Sequence, residues 1–178
     1  MTKNKIFQDK NLKKAFTMIE IIFVIVIIGI LASVAIPRLA ATHDDAKITK
    51  ALITINAIRK SLVMERQKRM ARGEFEPITA VGDTGNVFGT FKVGNSYLDT
   101  GTDVLEEAVP SEEKKYAWHW DGYSNGVFWY AFCLNDNCGS NSEAIWFMVR
   151  DEKFQCVDNP ARNYGDCAIL GIDSVPGW

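Results

Sequence analysis

Histidine is scarce in this chain: its 178 residues include His43 and His119 and no other. No nucleophile stands with a base nearby, so nucleophilic and general acid–base catalysis find no foothold. Gly82, Gly85 and Gly89 do not sit between a strand and a helix start, which excludes a phosphate-cradling loop. The chain does not read as an enzyme. A tight C-x-x-C pair is missing too: Cys133, Cys138, Cys156 and Cys167 are separated by four, seventeen and ten residues. Neither histidine lies close to a cysteine pair, and the spacing disfavours a zinc site. Internal repeats and low-complexity tracts are absent.

Charge is missing from one long stretch. Phe16 to Pro37 is twenty-two residues, FTMIEIIFVIVIIGILASVAIP, in which Glu20 is the only charged side chain. That length crosses a bilayer core as a helix. Before it, Lys3, Lys5, Lys10, Lys13 and Lys14 stand against Asp9 alone. This basic flank predicts an amino end that stays cytoplasmic and an exported chain after Arg38. Residues 1–15 are polar and without periodicity and read as a targeting leader. The remainder carries a net charge of −6, which disfavours generic binding to nucleic acid. All four cysteines lie in the last third, as suits disulfides in an oxidising, exported compartment. Four cysteines allow three pairings; the two sequence-local ones, Cys133 with Cys138 and Cys156 with Cys167, are preferred.

After the apolar run the period changes. Ile48, Leu52, Ile55, Ile58 and Leu62 recur at steps of three and four, an amphipathic helix over 38–72 that packs one stripe on a folded head. Lys47, Lys50, Thr54, Ser61 and Glu65 fall largely between those steps, on the side facing solvent or neighbouring subunits. One helix is expected from Thr17 to Arg72, loosened at Pro37 and Gly29 and stopped at Gly73. Residues 73–115, rich in Gly, Asp, Thr and Asn, read as a connector loop with a short helix around Asp103 to Ala108. Over 116–178, YAWHW, GVFWYAFCL, AIWFMV and KFQCV read as strands joined by the turns DGYSNG, NDNCGSN and RDE. The fold class is α+β, a long amino-terminal helix packed on a carboxyl-terminal antiparallel sheet. The aromatic group Trp118, His119, Trp120, Tyr123, Trp129 and Tyr130 reads as core, with a sugar- or base-stacking surface as the other reading. Among cofactors none is expected; Asp99, Asp103, Glu106 and Glu107 offer oxygen ligands for calcium without a recognisable loop.

The block KKAFTMIE and the apolar run after it resemble the leader and first helix of type IV prepilins and type II secretion pseudopilins. The family pattern is a basic leader ending in a small residue, then Phe, Thr, a hydrophobic pair and Glu, here Ala15 followed by Phe16, Thr17, Met18, Ile19 and Glu20. Ala15 replaces the usual Gly. Gly29 and Pro37 also match the family's usual places, and the likeness covers about thirty residues. It implies a pilin-like head and a prepilin peptidase that cuts after Ala15 and methylates the Phe16 amine. It further implies a filament in which Glu20 of one copy faces the Phe16 amine of a neighbour, with helix flexibility between Gly29 and Pro37. The implied partners are other copies or related pilins, the peptidase, an inner-membrane assembly platform, and the membrane itself before assembly. The implied location is a single-pass inner-membrane protein that becomes a periplasmic or cell-surface filament. A lone carboxylate in an apolar helix costs about 2.5 to 3.5 kcal/mol at the bilayer centre on the translocon scale for aspartate, so something must compensate Glu20.

A pilus subunit is the leading reading, because a cysteine pair near the carboxyl end is reminiscent of pilins with a disulfide-closed terminal loop; a secretion pseudopilin is the alternative. From a different class, Ser33-Val34-Ala35 fits an ordinary signal-peptidase site that releases a secreted domain. A carbohydrate-binding domain on a single-pass anchor is the third reading.

Overall fold

The computed structural model describes residues 16–82, 86–94, 97–124, 126–136, 138, 144–158 and 166–176, with the backbone alone at residues 40 and 41. The chain divides into two units, Met1–His43 and Asp44–Trp178. A single helix, α1, Met18–Ala71, supplies most of the first unit and the start of the second. Its backbone assignment is continuous through Gly29 and Pro37. Pro37 has no N–H, so the carbonyl four residues earlier, at Ser33, lacks its usual donor.

The helix ends at a Schellman turn. Gly73, at φ +79°, donates to the Met70 carbonyl at 3.0 Å, and Glu74 donates to that of Arg69 at 2.9 Å. The hydrophobic contact that often seals this turn is replaced by an ion pair, Arg69 Nη1 to Glu74 Oε2 at 3.0 Å.

In the second unit, the helix buries Ala51, Ile55, Ile58 and Leu62, with Ile48 and Leu52 partly covered beside them. The stripe continues into charged residues: Glu65 and Arg69 are 4 % and 6 % exposed. This corrects the placement of Glu65 between the buried steps; Lys68 and Arg72 lie 3.6 Å from its carboxylate and Glu74 answers Arg69. Ser61 likewise faces inward and donates to the Val104 carbonyl at 2.6 Å.

The stretch 73–115 is not a loop. It holds a three-stranded sheet, β1 Ile78–Ala80, β2 Thr90–Val93 and β3 Leu98–Asp103, antiparallel throughout. The short helix expected from Asp103 is a series of bends after β3. Gly82 is required here: at φ +148°, an added Cβ would fall 2.2 Å from the Val87 carbonyl oxygen.

The second sheet runs in sequence order: β4 Trp118–Ser124, β5 Val127–Cys133, β6 Ala144–Arg150, β7 Lys153–Asp158 and β8 Ser174–Pro176. β4 to β7 are antiparallel, but β8 returns parallel to β7, so the sheet is mixed. DGYSNG is mostly strand, since Ser124 already pairs with Val127. YAWHW starts two residues late, because Tyr116 adopts φ +61° and leaves the ladder. β6 is buried from Ala144 to Val149. Ile145, Phe147 and Val149 join the main core, while Ala144 and Trp146 pack with Ala131, Cys133 and Cys138. Phe88, Trp118, Tyr130 and Phe154 contact one another at the centre. The Tyr130 hydroxyl accepts from Val81 N at 3.0 Å and donates to Gly82 O at 3.4 Å, joining β5 to the segment after β1.

The β6–β7 turn places Asp151 and Glu152 at φ +50° and +58°, a left-handed pair that usually calls for Asn-Gly. Glu152 compensates by accepting from Ile78 N at 3.1 Å and pairing with Arg66 Nε at 3.1 Å. Asp151→Gly should therefore stabilise by about 0.5 to 1 kcal/mol. Glu152→Gly should destabilise by about 1 kcal/mol despite relieving the same backbone. Thermal unfolding of the full chain in detergent micelles checks both signs. Asp99 accepts from Lys92 at 2.7 Å, and then from Gly101 N and Thr90, which lowers its pKa to about 2. A depressed carboxyl pKa stabilises the fold above the unfolded value of about 3.9, and the effect fades as pH falls towards the folded value. Its side chain is half exposed, which keeps the contribution modest. Melting between pH 5 and pH 2 should fall less steeply in Asp99→Asn than in the parent.

Candidate functional site

The amino-terminal part of α1 is built from the cap inward. Thr17 is the N-cap: its Oγ1 accepts from Glu20 N at 3.3 Å, and its carbonyl accepts from Glu20 N and Ile21 N at 3.1 and 3.3 Å. Threonine followed three residues later by glutamate is the capping-box spacing, a local signal that the motif-level reading passed over. Glu20 thus lies in the first turn of the helix, where the macrodipole favours a carboxylate. Phe16 is the first described residue; Ala15 and the rest of the expected leader lie outside the described residues.

Beyond the cap the helix presents hydrocarbon on every side. Its large apolar side chains from Phe16 to Leu39 are exposed, from 40 % at Ile27 to 86 % at Met18. The helix is long and apolar enough to cross a membrane. Two hydroxyls turn onto the backbone of the helix: Ser33 Oγ donates to Ile30 O at 2.7 Å and Thr42 Oγ1 to Leu39 O at 2.9 Å. At Gly29 an added Cβ would meet nothing within 4 Å, so no steric demand fixes glycine there. A surface of this kind is unstable in water and calls for lipid or protein to cover it.

The other candidate residues lie in the second unit. Disulfides join Cys133 to Cys138 at the end of β5, and Cys156 of β7 to Cys167 of a 3₁₀ turn, Cys167–Leu170. Asp166 caps that turn by accepting from Ala168 N at 2.7 Å. Among the described residues, no group of three or more His, Cys, Asp or Glu side chains comes together to hold a metal. Asp99 is committed to Lys92, Thr90 and Gly101. The aromatic group divides between core and surface: Trp118 and Tyr130 are buried, while Tyr123 is 52 % exposed and bonds Tyr97 through their hydroxyls at 2.9 Å. The two buried rings are thereby withdrawn from any stacking surface. His119 is satisfied locally, by Ser111 at 3.3 Å and Glu113 at 3.7 Å.

Comparison with known proteins places its weight on the first of these regions. The family model for the prokaryotic N-terminal methylation motif matches residues 10–36. The chain is similar to the type II secretion system core protein G of Pseudomonas aeruginosa, 41 % identical over 63 residues. That match covers 35 % of this chain and 44 % of the relative, so the chain spans under half of the relative's length. No solved structure matches. Both matches point to a structural subunit rather than an enzyme. The chain carries a prepilin-type amino-terminal segment, the mark of pilin-like and pseudopilin subunits.

Proposed function

We propose that this chain is a structural subunit of a secretion-type filament, a pseudopilin, cut after Ala15, methylated at Phe16 and assembled through its apolar helix. The observation that carries this reading is the methylation motif running into a helix whose large apolar side chains are exposed from Met18 to Leu39. Before assembly the helix sits in the inner membrane with its amino end cytoplasmic, as the lysine-rich flank supports. During assembly the exposed apolar side chains exchange lipid for neighbouring helices. Glu20 then faces the Phe16 amine of an adjacent copy, which compensates an intramembrane charge and selects the register. Partners are copies of this chain or related subunits, the prepilin peptidase and an inner-membrane assembly platform.

Similarity to core protein G favours the secretion filament. A pilus subunit is the second reading, supported by the Cys156–Cys167 disulfide near the carboxyl end. The secreted-domain reading fits less well, because a cut after Ala35 would discard the segment that carries the motif.

Intact mass and amino-terminal sequencing of the protein from a membrane or sheared-filament fraction test the processing. The expected mature chain starts at N-methylated Phe16; a start at Ile36, or an uncut Met1, overturns it. Glu20→Gln separates charge from capping, since the bonds at Thr17 use the Glu20 backbone. Cleavage should proceed normally while filament yield drops about tenfold or more, equivalent to about 1.4 kcal/mol. Unchanged yield would reduce Glu20 to a first-turn carboxylate.

A further inference from the structure

Charge in the second unit is segregated. From Asp44 to Arg72 there are eight basic and three acidic residues; from Gly73 to Trp178 there are six basic and seventeen acidic. The outer side of the helix adds an apolar component, with Ile53 and Met64 exposed at 64 % and 68 % and Lys50 and Lys60 exposed beside them. Next to this face runs the segment that follows β3, carrying the exposed Glu106 and Glu107.

Helix and segment are separated by open grooves. One, of about 690 Å³, has Lys50 and Ile53 on its helix wall and Glu106 and Glu107 on the other. A second, of about 610 Å³, has Lys60 and Met64 opposite Glu106. The segment is pinned by the Ser61 bond to Val104 and by Leu105 and Val109 against the core, so it does not collapse onto the lysines. Among the described residues, Lys50, Lys60, Glu106 and Glu107 form no ion pair with one another or with any other side chain.

We propose that the Lys50–Ile53–Lys60–Met64 face of the helix is a docking surface for a second copy of this chain, whose Glu106–Glu107 segment pairs with the lysines and covers the two apolar side chains. The inference rests on the filament reading above and names the head-to-head contact within it. A second copy is the fitting occupant because every copy carries both halves of the contact. A heterologous pairing of this kind generates an open helical array when its rotation does not close into a ring. It also answers a problem of assembly, since heads of net negative charge repel unless opposite charges are brought into register.

The test is zero-length carbodiimide cross-linking of full-length chains in host membranes and sheared filaments, using a mixture of copies labelled with nitrogen-14 and nitrogen-15. Amide links between differently labelled copies that join Lys50 or Lys60 to Glu106 or Glu107 are expected. A Lys50→Glu/Lys60→Glu chain and a Glu106→Lys/Glu107→Lys chain should each lose those contacts and assemble about tenfold less well on their own. Co-expressed, they should assemble together, because each reversed surface then meets its complement. Filaments without mixed links, or reversed chains that assemble normally alone, overturn the docking surface and leave the filament reading standing. Failure of the two reversed chains to rescue each other also overturns it. Mixed links without filaments sustain the docking surface and sink the filament reading, whereas absence of both sinks both.

Discussion

Water cannot be the working environment of α1 between Phe16 and Leu39. Each large apolar side chain left in water forgoes roughly 1.5 to 3 kcal/mol of burial, and this stretch exposes more than a dozen of them. A bilayer removes that penalty for an isolated chain, and neighbouring helices remove it in an assembly. The other features of the segment follow from the same constraint. Its Ser33 hydroxyl bonds the preceding turn of its own helix, and its one carboxylate stands in the first turn beside the cap.

The second unit solves a separate problem: it must fold around a helix whose inner stripe ends in charge. Ile55, Ile58 and Leu62 enter a core of aromatic rings, and over the next two turns Glu65 and Arg69 are buried as well. Burial of those two is tolerable because Lys68, Arg72 and Glu74 are within reach; a buried pair stripped of one partner is strongly destabilising. The Schellman turn at Gly73 brings Glu74 back to Arg69, so helix termination and charge compensation are one piece of local geometry.

The helix was legible in the sequence because its signals are local: an apolar run, steps of three and four, and Gly73 at the stop. β4 to β7 were legible for a similar reason, being aromatic and β-branched runs separated by short turns. β1 to β3 were not. LDTGTD has the composition of a loop, and its strand character comes from pairing with Thr90 to Val93, which no local pattern records. The inward turn of Glu65 was hidden because its partners lie in the next turn and beyond, and β8 because three residues ending in proline carry little strand signal. Thr17 and Glu20 did carry a readable capping-box spacing, overshadowed by the methylation motif that shares the same residues.

In the proposed filament the exposed hydrocarbon of α1 becomes an interface between copies. A photo-reactive amino acid at Ile27, in the middle of the apolar run, tests it directly when activated in membranes and in sheared filaments from the same cells. Adducts to lipid are expected in the membrane fraction, and to the α1 helix of another copy in filaments. Adducts to lipid alone in both fractions would contradict it and leave the helix a simple anchor.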